Sequence, residues 1–132
     1  MAMTVCSSTP MHIATQTGAY DVEARAVWIG PDLLVYIWGG NRPHIGSVAA
    51  AQPRPSLKDS EATSATASVL TYIGHKDDVT AKFAAEALAG ALAVNVVVTA
   101  GIHWDNLDDA RIQIVVANTK TLVSQLIQAL KR

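Results

Sequence analysis

Asp78-Val79-Thr80-Ala81-Lys82-Phe83-Ala84-Ala85-Glu86-Ala87-Leu88-Ala89-Gly90-Ala91-Leu92, followed almost at once by Val94-Asn95-Val96-Val97-Val98-Thr99-Ala100, is the stretch that decides the fold. Its first half is alanine-rich and free of proline, which predicts a helix over Asp78–Leu92. Val79, Phe83 and Leu88 place large apolar groups on one side, and Ala84, Ala87 and Ala91 form a small face that permits close approach to a sheet. The second half is apolar at every position except Asn95 and Thr99, and is rich in β-branched residues. That predicts an internal strand buried on both faces. Upstream, residues 67–73 read as another strand ending at Gly74-His75. Strand, helix and strand in that order predict a right-handed βαβ crossover.

Towards the N-terminus the pattern changes to alternation. Residues 11–16 read loosely as a first strand. Residues 22–29 read as a second, with Glu23 and Arg25 on one face and Ala24, Ala26 and Trp28 on the other. Gly30-Pro31-Asp32 is turn chemistry, and residues 33–38 return as the partner strand. Gly39-Gly40-Asn41-Arg42-Pro43 forms the next loop, and residues 45–51 pair onward. Gln52-Pro53-Arg54-Pro55 stops that strand or marks an edge, because proline has no N–H to donate. Residues 56–66 are polar and read as a mobile connection. At the C-terminus, residues 112–116 have strand propensity. Yet Ile112, Val115, Val116, Thr119, Leu122, Val123, Leu126 and Leu130 hold helical spacing, which favours one long helix disturbed at Asn118. The expected fold is α+β: a mixed, mostly antiparallel sheet of about five or six strands with two helices on one face. Residues 11–132 form one domain after a disordered 1–10. The sheet's exposed edges are expected after Pro53 and near Val22, which predicts a homodimer or higher oligomer.

The 132 residues are half hydrophobic with a single phenylalanine, so the core is built from small side chains. A net charge of −1 with scattered basic residues excludes the footprint of a nucleic-acid binder. Cys6 is the only cysteine, which excludes an internal disulfide and a multi-cysteine zinc site. No apolar run reaches membrane-spanning length, and the N-terminus lacks a signal-peptide pattern, so the chain reads as soluble and cytoplasmic.

Three of the four histidines share one context, a glycine-flanked strand end: Pro43-His44-Ile45-Gly46, Gly74-His75-Lys76-Asp77 and Gly101-Ile102-His103-Trp104-Asp105-Asn106. If those strands lie side by side, three imidazoles, neighbouring carboxylates and Lys76 meet on one rim. Arg42 has the fork geometry for a phosphate or carboxylate, and Gly39-Gly40 offers backbone amides to a ligand. Asp78 reads as a helix cap and Asp77 as an acceptor that orients His75. His103 and Asp105 point to the same side, as a ligand pair or an oriented imidazole. Three neutral imidazoles with a carboxylate suit a divalent metal, so His44, His75 and His103 are candidate ligands. His12 stands apart and reads as structural. Ser47 follows His44 but lies in no nucleophile elbow, and serine or cysteine hydrolysis is not supported.

In combination, the segment running from Gly40-Asn41-Arg42-Pro43-His44 through Ile45-Gly46-Ser47-Val48-Ala49, then Gly74-His75-Lys76-Asp77-Asp78, and then Gly101-Ile102-His103-Trp104-Asp105-Asn106 resembles the prenylated-flavin chaperone family. The resemblance runs from about Ala24 to Leu130. It implies a fold similar to the proteasome assembly chaperones, usually dimerised. It also implies a non-enzymatic role: holding reduced prenylated FMN and assisting its delivery to UbiD-type decarboxylases, with a flavin prenyltransferase as a further possible partner. The cofactor-binding candidates are Gly39, Gly40, Arg42, His44, Ser47, His75, Lys76 and Asp105. The competing readings are a metal-dependent enzyme using the His/Asp cluster and a purely structural assembly factor.

Overall fold

The structure, a computed structural model, describes residues 9–59, 61–72 and 77–131. Six strands and two helices follow in the order β1 (Met11–Ala14), β2 (Val22–Ile29), β3 (Asp32–Gly40), β4 (Ser47–Pro55), β5 (Thr63–Thr71), α1 (Asp78–Leu92), β6 (Val96–His103) and α2 (Asp109–Leu130). They form one sheet in the order β1-β2-β3-β6-β4-β5. Only β3 and β6 pair in parallel; every other neighbouring pair is antiparallel. The expected mixed, mostly antiparallel sheet with two helices is therefore what the chain forms. Because β4 runs antiparallel to both β5 and β6, the β5–α1–β6 connection joins two parallel strands with β4 between them. Among the described residues, no helix is long and apolar enough to cross a membrane.

Both helices cover the same sheet face: α1 lies over β4, β5 and β6, and α2 over β1 and β2. The core alternates along the strands as period two requires, with Val22, Ala24 and Ala26 on β2 and Leu33, Val35 and Ile37 on β3 all buried. On α1 the alanine face docks: Ala81, Ala84, Ala85 and Ala89 are buried with Leu88, whereas Val79 is 72 % exposed. Small side chains let the helix sit close to the sheet; of the expected small face Ala84 is buried and Ala91 exposed, and of the large apolar side Leu88 is buried while Val79 and Phe83 are exposed.

Three expectations are corrected here. First, β6 is buried on one face only; Val96, Val98 and Ala100 are buried and Val97 is 37 % exposed. Continuous apolarity indicates two covered faces only when helices lie on both sides, and here they lie on one. Second, the prolines do not stop β4, which pairs with β5 through Pro53 and Pro55; of the two alternatives, they mark an edge. Pairing of β4 with β6 ends at Ala51, so past that point one edge of β4 has no ladder and a missing N–H loses nothing there. With β4 continuing, the polar tract also contributes Thr63–Thr66 to β5. Third, the sheet edges are β1 and β5; Val22 is internal.

Opposite the helices the sheet is open. His12, Arg25, Tyr36, Thr99, Val48 and Leu70 are register partners in one row across all six strands. Trp38 lies beside that row, its ring centroid 6.0 Å from Tyr36 and 6.0 Å from His12 in near-parallel stacks. His12 also hydrogen-bonds Glu23 at 2.9 Å, so it serves this surface, in keeping with its structural reading.

Candidate functional site

The loop 41–46, the end of β6 and the start of α1 meet at one end of the sheet. Hydrogen bonds fix the loop along its length. Arg42 N–H donates to the His103 carbonyl at 3.3 Å, and Gly46 N–H donates to the Ala100 carbonyl at 2.9 Å. Two glycines make the close approach possible. A side chain at Gly101 would run into the His44 backbone, and one at Gly46 would run into the Asp77 carboxylate. Gly40, at φ +94°, would likewise meet the His103 backbone. The recurring glycines seen in the sequence thus work as spacers between the histidine segments.

Asp77 is the hub. It occupies the N-cap position of α1 but makes no side-chain cap bond. Instead its Oδ2 lies 2.9 Å from His44 Nε2, and its Oδ1 accepts from Ile102 N–H at 3.0 Å. The His44 Nδ1 faces the Arg42 carbonyl at 2.9 Å. A carbonyl can only accept, so Nδ1 carries a proton. One further proton then lies between Nε2 and Asp77, either as an imidazolium–carboxylate pair or as a neutral hydrogen-bonded pair. Asp77 is 7 % exposed and the His44 side chain 21 %, so this bridge is shielded from water. The expected acceptor role of Asp77 holds in kind, with His44 as the partner; Asp78 is simply the first residue of the helix.

His103 and Asp105 do pair, at 3.1 Å, and both are about half exposed. The Arg42 guanidinium lies 3.6 Å from the same Asp105 oxygen with 73 % of its side chain exposed. Asn41 accepts from Asp105 N–H at 3.1 Å. Arg42, His103 and Asp105 therefore form an exposed polar rim. His75 and Lys76 lie outside the described residues. Among the described residues, no group of three or more His, Cys, Asp or Glu side chains is placed to hold a metal ion. Ser47 is buried, with its hydroxyl donating to Thr71 at 2.9 Å, and a side chain at Gly39 would crowd Val22 and Trp104.

His44, Asp77 and His103 line a cleft of about 360 Å³. Its second wall was not found from the sequence: Ile112, Val115 and Val116 of α2, joined by Leu107, with Ile102, Trp104 and Thr80 alongside. Helical spacing assigns Ile112, Val115 and Val116 to one apolar stripe with Leu122, Val123, Leu126 and Leu130. In fact α2 is buried only from Asn118 onward, so its first turns project past the sheet. The signal was the width of the apolar stripe, broader over residues 112–116 than one docking face needs. Asn118 marks the junction: its amide donates to the carbonyls of Ala19 and Tyr20 at 2.9 and 2.7 Å. The helix runs through Asn118 unbroken, against the expected disturbance. Trp104 packs edge-on against Tyr20 at 5.2 Å. His44 also borders a second hollow on the open sheet face, with Arg25, Tyr36, Trp38, Pro43 and Ile45.

Comparisons with known proteins agree with this architecture. Residues 16–131 match the sequence profile of the prenylated flavin chaperone LpdD-like domain. Protein LpdD of Lactiplantibacillus plantarum is 29 % identical over 119 residues, covering 89 % of this chain and 82 % of that one. A chain in a crystal structure of a chaperone complex for yeast 20S proteasome assembly superposes with a TM-score of 0.58. At 11 % identity, over 92 % of this chain and 94 % of that one, it speaks for the fold alone.

Proposed function

We propose, from the premise that this chain belongs to the prenylated flavin chaperone LpdD-like family, that it holds reduced prenylated FMN and hands it to a UbiD-type decarboxylase without turning it over. The family match across residues 16–131 carries this reading. The cleft fits such a cofactor in kind, with a polar wall at His44, Asp77 and Thr80 for hydrogen bonds to the flavin and an apolar wall on the α2 side. Arg42, exposed and held only loosely by Asp105, is the described cation suited to the phosphate. Lys76 and His75 directly precede the cleft residue Asp77 in the sequence and are assigned to the same end of the ligand. His103 orients the ring edge while Asp105 holds its imidazole.

When bound, the cofactor carries the reactive chemistry, and that chemistry belongs to the client enzyme. This chain's residues bind, orient and shield. Delivery requires two protein contacts, a flavin prenyltransferase as source and the decarboxylase as acceptor. The open sheet face is assigned to a second copy of the chain.

Anaerobic titration with prenylated FMN, followed by activation of apo-decarboxylase, tests the reading. Binding that rises with loading of the client is expected. Absence of binding and of activation removes it, and metal content with hydrolytic assays then examines the His/Asp cluster as an enzyme site. Arg42→Ala is expected to weaken binding about tenfold, the loss of one charge-assisted phosphate contact.

A further inference from the structure

We propose that Ile112, Val115 and Val116 select the isoprenoid-modified flavin over unmodified FMN, by covering the carbon group that prenylation adds. The proposal rests on the cofactor reading above and names the part of the site that sets specificity.

The two walls of the cleft differ in chemistry. One carries His44, Asp77, Thr80 and His103 together with the apolar Ile102 and Trp104; the other carries apolar side chains alone, Leu107, Ile112, Val115 and Val116. Ile112 is 41 % exposed and Val116 40 %, with Val115 half-buried between them. Single exposed apolar residues need no explanation, but a set gathered on one wall facing the shielded His44–Asp77 hydrogen bond is unusual. The projecting start of α2 keeps that wall from packing into the body of the protein; burial of the helix begins at Asn118. Any ligand that fills the cleft must therefore be apolar on the α2 side and hydrogen-bonding on the other. Plain FMN meets the second demand through its ring edge and phosphate. Prenylation adds carbons and no hydrogen-bonding atom, which meets the first. Apolar area covered in this way contributes roughly 25 cal/mol per Å², and unmodified FMN leaves that area wet.

The test compares prenylated FMN and FMN binding to wild type, Val116→Thr and the Ile112→Thr/Val116→Thr double variant, under anaerobic conditions by calorimetry and flavin fluorescence. Threonine keeps the shape of valine with a hydroxyl in place of one methyl, and at Ile112 it also removes the terminal methyl; both positions are exposed enough for the chain to fold, and thermal melts check this. Wild type is expected to prefer prenylated FMN. The double variant is expected to lose about tenfold affinity for it, with FMN binding unchanged. Equal affinity of wild type for both flavins overturns the proposal, as does an equal loss for both in the variant. If light scattering shows that the variant breaks an oligomer while the preference stays, the wall belongs to a protein interface and the proposal falls. Wild type binding neither flavin removes the cofactor reading itself and this proposal with it. Arg42→Ala separates the two cases, since it weakens both flavins alike wherever the phosphate reading holds.

Discussion

Asp77 opens α1 with its backbone while its side chain turns away to bridge His44 and Ile102. The sequence exposed half of this. The repeated glycine–histidine context was visible, and so was an acceptor role for Asp77. The partner was not, because His75 is its neighbour in sequence whereas His44 reaches it only once loop 41–46 lies along β6. Substitution separates charge from hydrogen bonding here. In Asp77→Asn the amide oxygen can still accept from Ile102 N–H, and the NH₂ can donate to a neutral His44 Nε2. Asp77→Ala leaves both partners unmet, at a cost of about 1–3 kcal/mol. Chemical denaturation should therefore rank wild type and Asp77→Asn close together and Asp77→Ala well below. Equal losses in the two variants would show that the carboxylate charge, and not its hydrogen bonds, holds the bridge. Gly101→Ala tests the spacer role: its added methyl meets the His44 backbone, which has no rotamer to yield. A destabilisation of about 1–3 kcal/mol is expected, with the His44 imidazole resonances displaced in NMR spectra.

Among the elements, those with a clean local period were legible. Helix α1 and the β2–β3 hairpin follow from alanine content, alternation and the Gly30-Pro31 turn. What depended on neighbours was not. The prolines of β4 could be reconciled with a strand only by knowing that β6 stops pairing at Ala51. The surface role of residues 112–116 could be read only from how far α2 overhangs the sheet. The loop between β1 and β2 shows how that overhang is set. Asp21 accepts from the Thr15 hydroxyl at 2.8 Å, from Thr17 through its N–H and hydroxyl at 2.9 Å each, and from Gly18 N–H at 3.0 Å. The Thr15 hydroxyl, with the Thr17 and Gly18 donors behind it, holds the Asp21 carboxyl below its ordinary value against a smaller opposing effect of burial. Since the folded-state pKa is lowered, the contribution is fully present above the ordinary carboxylate pKa and fades as pH falls through the lowered one. Wild type should therefore lose loop order on acidification below about pH 4, and Asp21→Asn should remove that part of the acid dependence in pH-resolved melts. The same loop presents the Ala19 and Tyr20 carbonyls to Asn118. Asn118→Ala leaves them unpaired at a cost of about 1–3 kcal/mol. It should also alter the fluorescence of Trp104, which packs on Tyr20; an unchanged emission would mean that the loop is held by Asp21 alone.

For the whole molecule, the decisive asymmetry is between a sheet face sealed by two helices and one left open. The open face carries Tyr36, Trp38, Val48 and Val97 on the central strands, with Leu70 79 % and Tyr72 66 % exposed towards the β5 edge. A contiguous surface of this kind is larger than the scattered apolar residues a monomer tolerates. The helices also expose Val79, Phe83, Ile112, Ile114 and Val116, but these are split between two helices, whereas the sheet face offers apolar side chains from adjacent paired strands to one partner. If a second copy covers it as proposed, the contact is isologous, row against row, with Arg25 and Glu23 available for polar contacts. The site end would stay accessible in such a dimer only at the α2 cleft, because the second hollow beside His44 lies on the face being covered. Val97→Lys places a charge at the centre of that face, at a position exposed in the single chain. It should therefore leave the melting temperature of the separated subunit nearly unchanged while converting a dimer to a monomer at micromolar concentration by light scattering. If the dimer survives Val97→Lys but is broken at Val79 or Phe83 of α1, the copies meet through the helix layer instead. A wild type that is monomeric at the same concentration leaves the open face to the proposed decarboxylase partner, and hydrogen exchange on the mixed proteins should then show protection at β3 and β6.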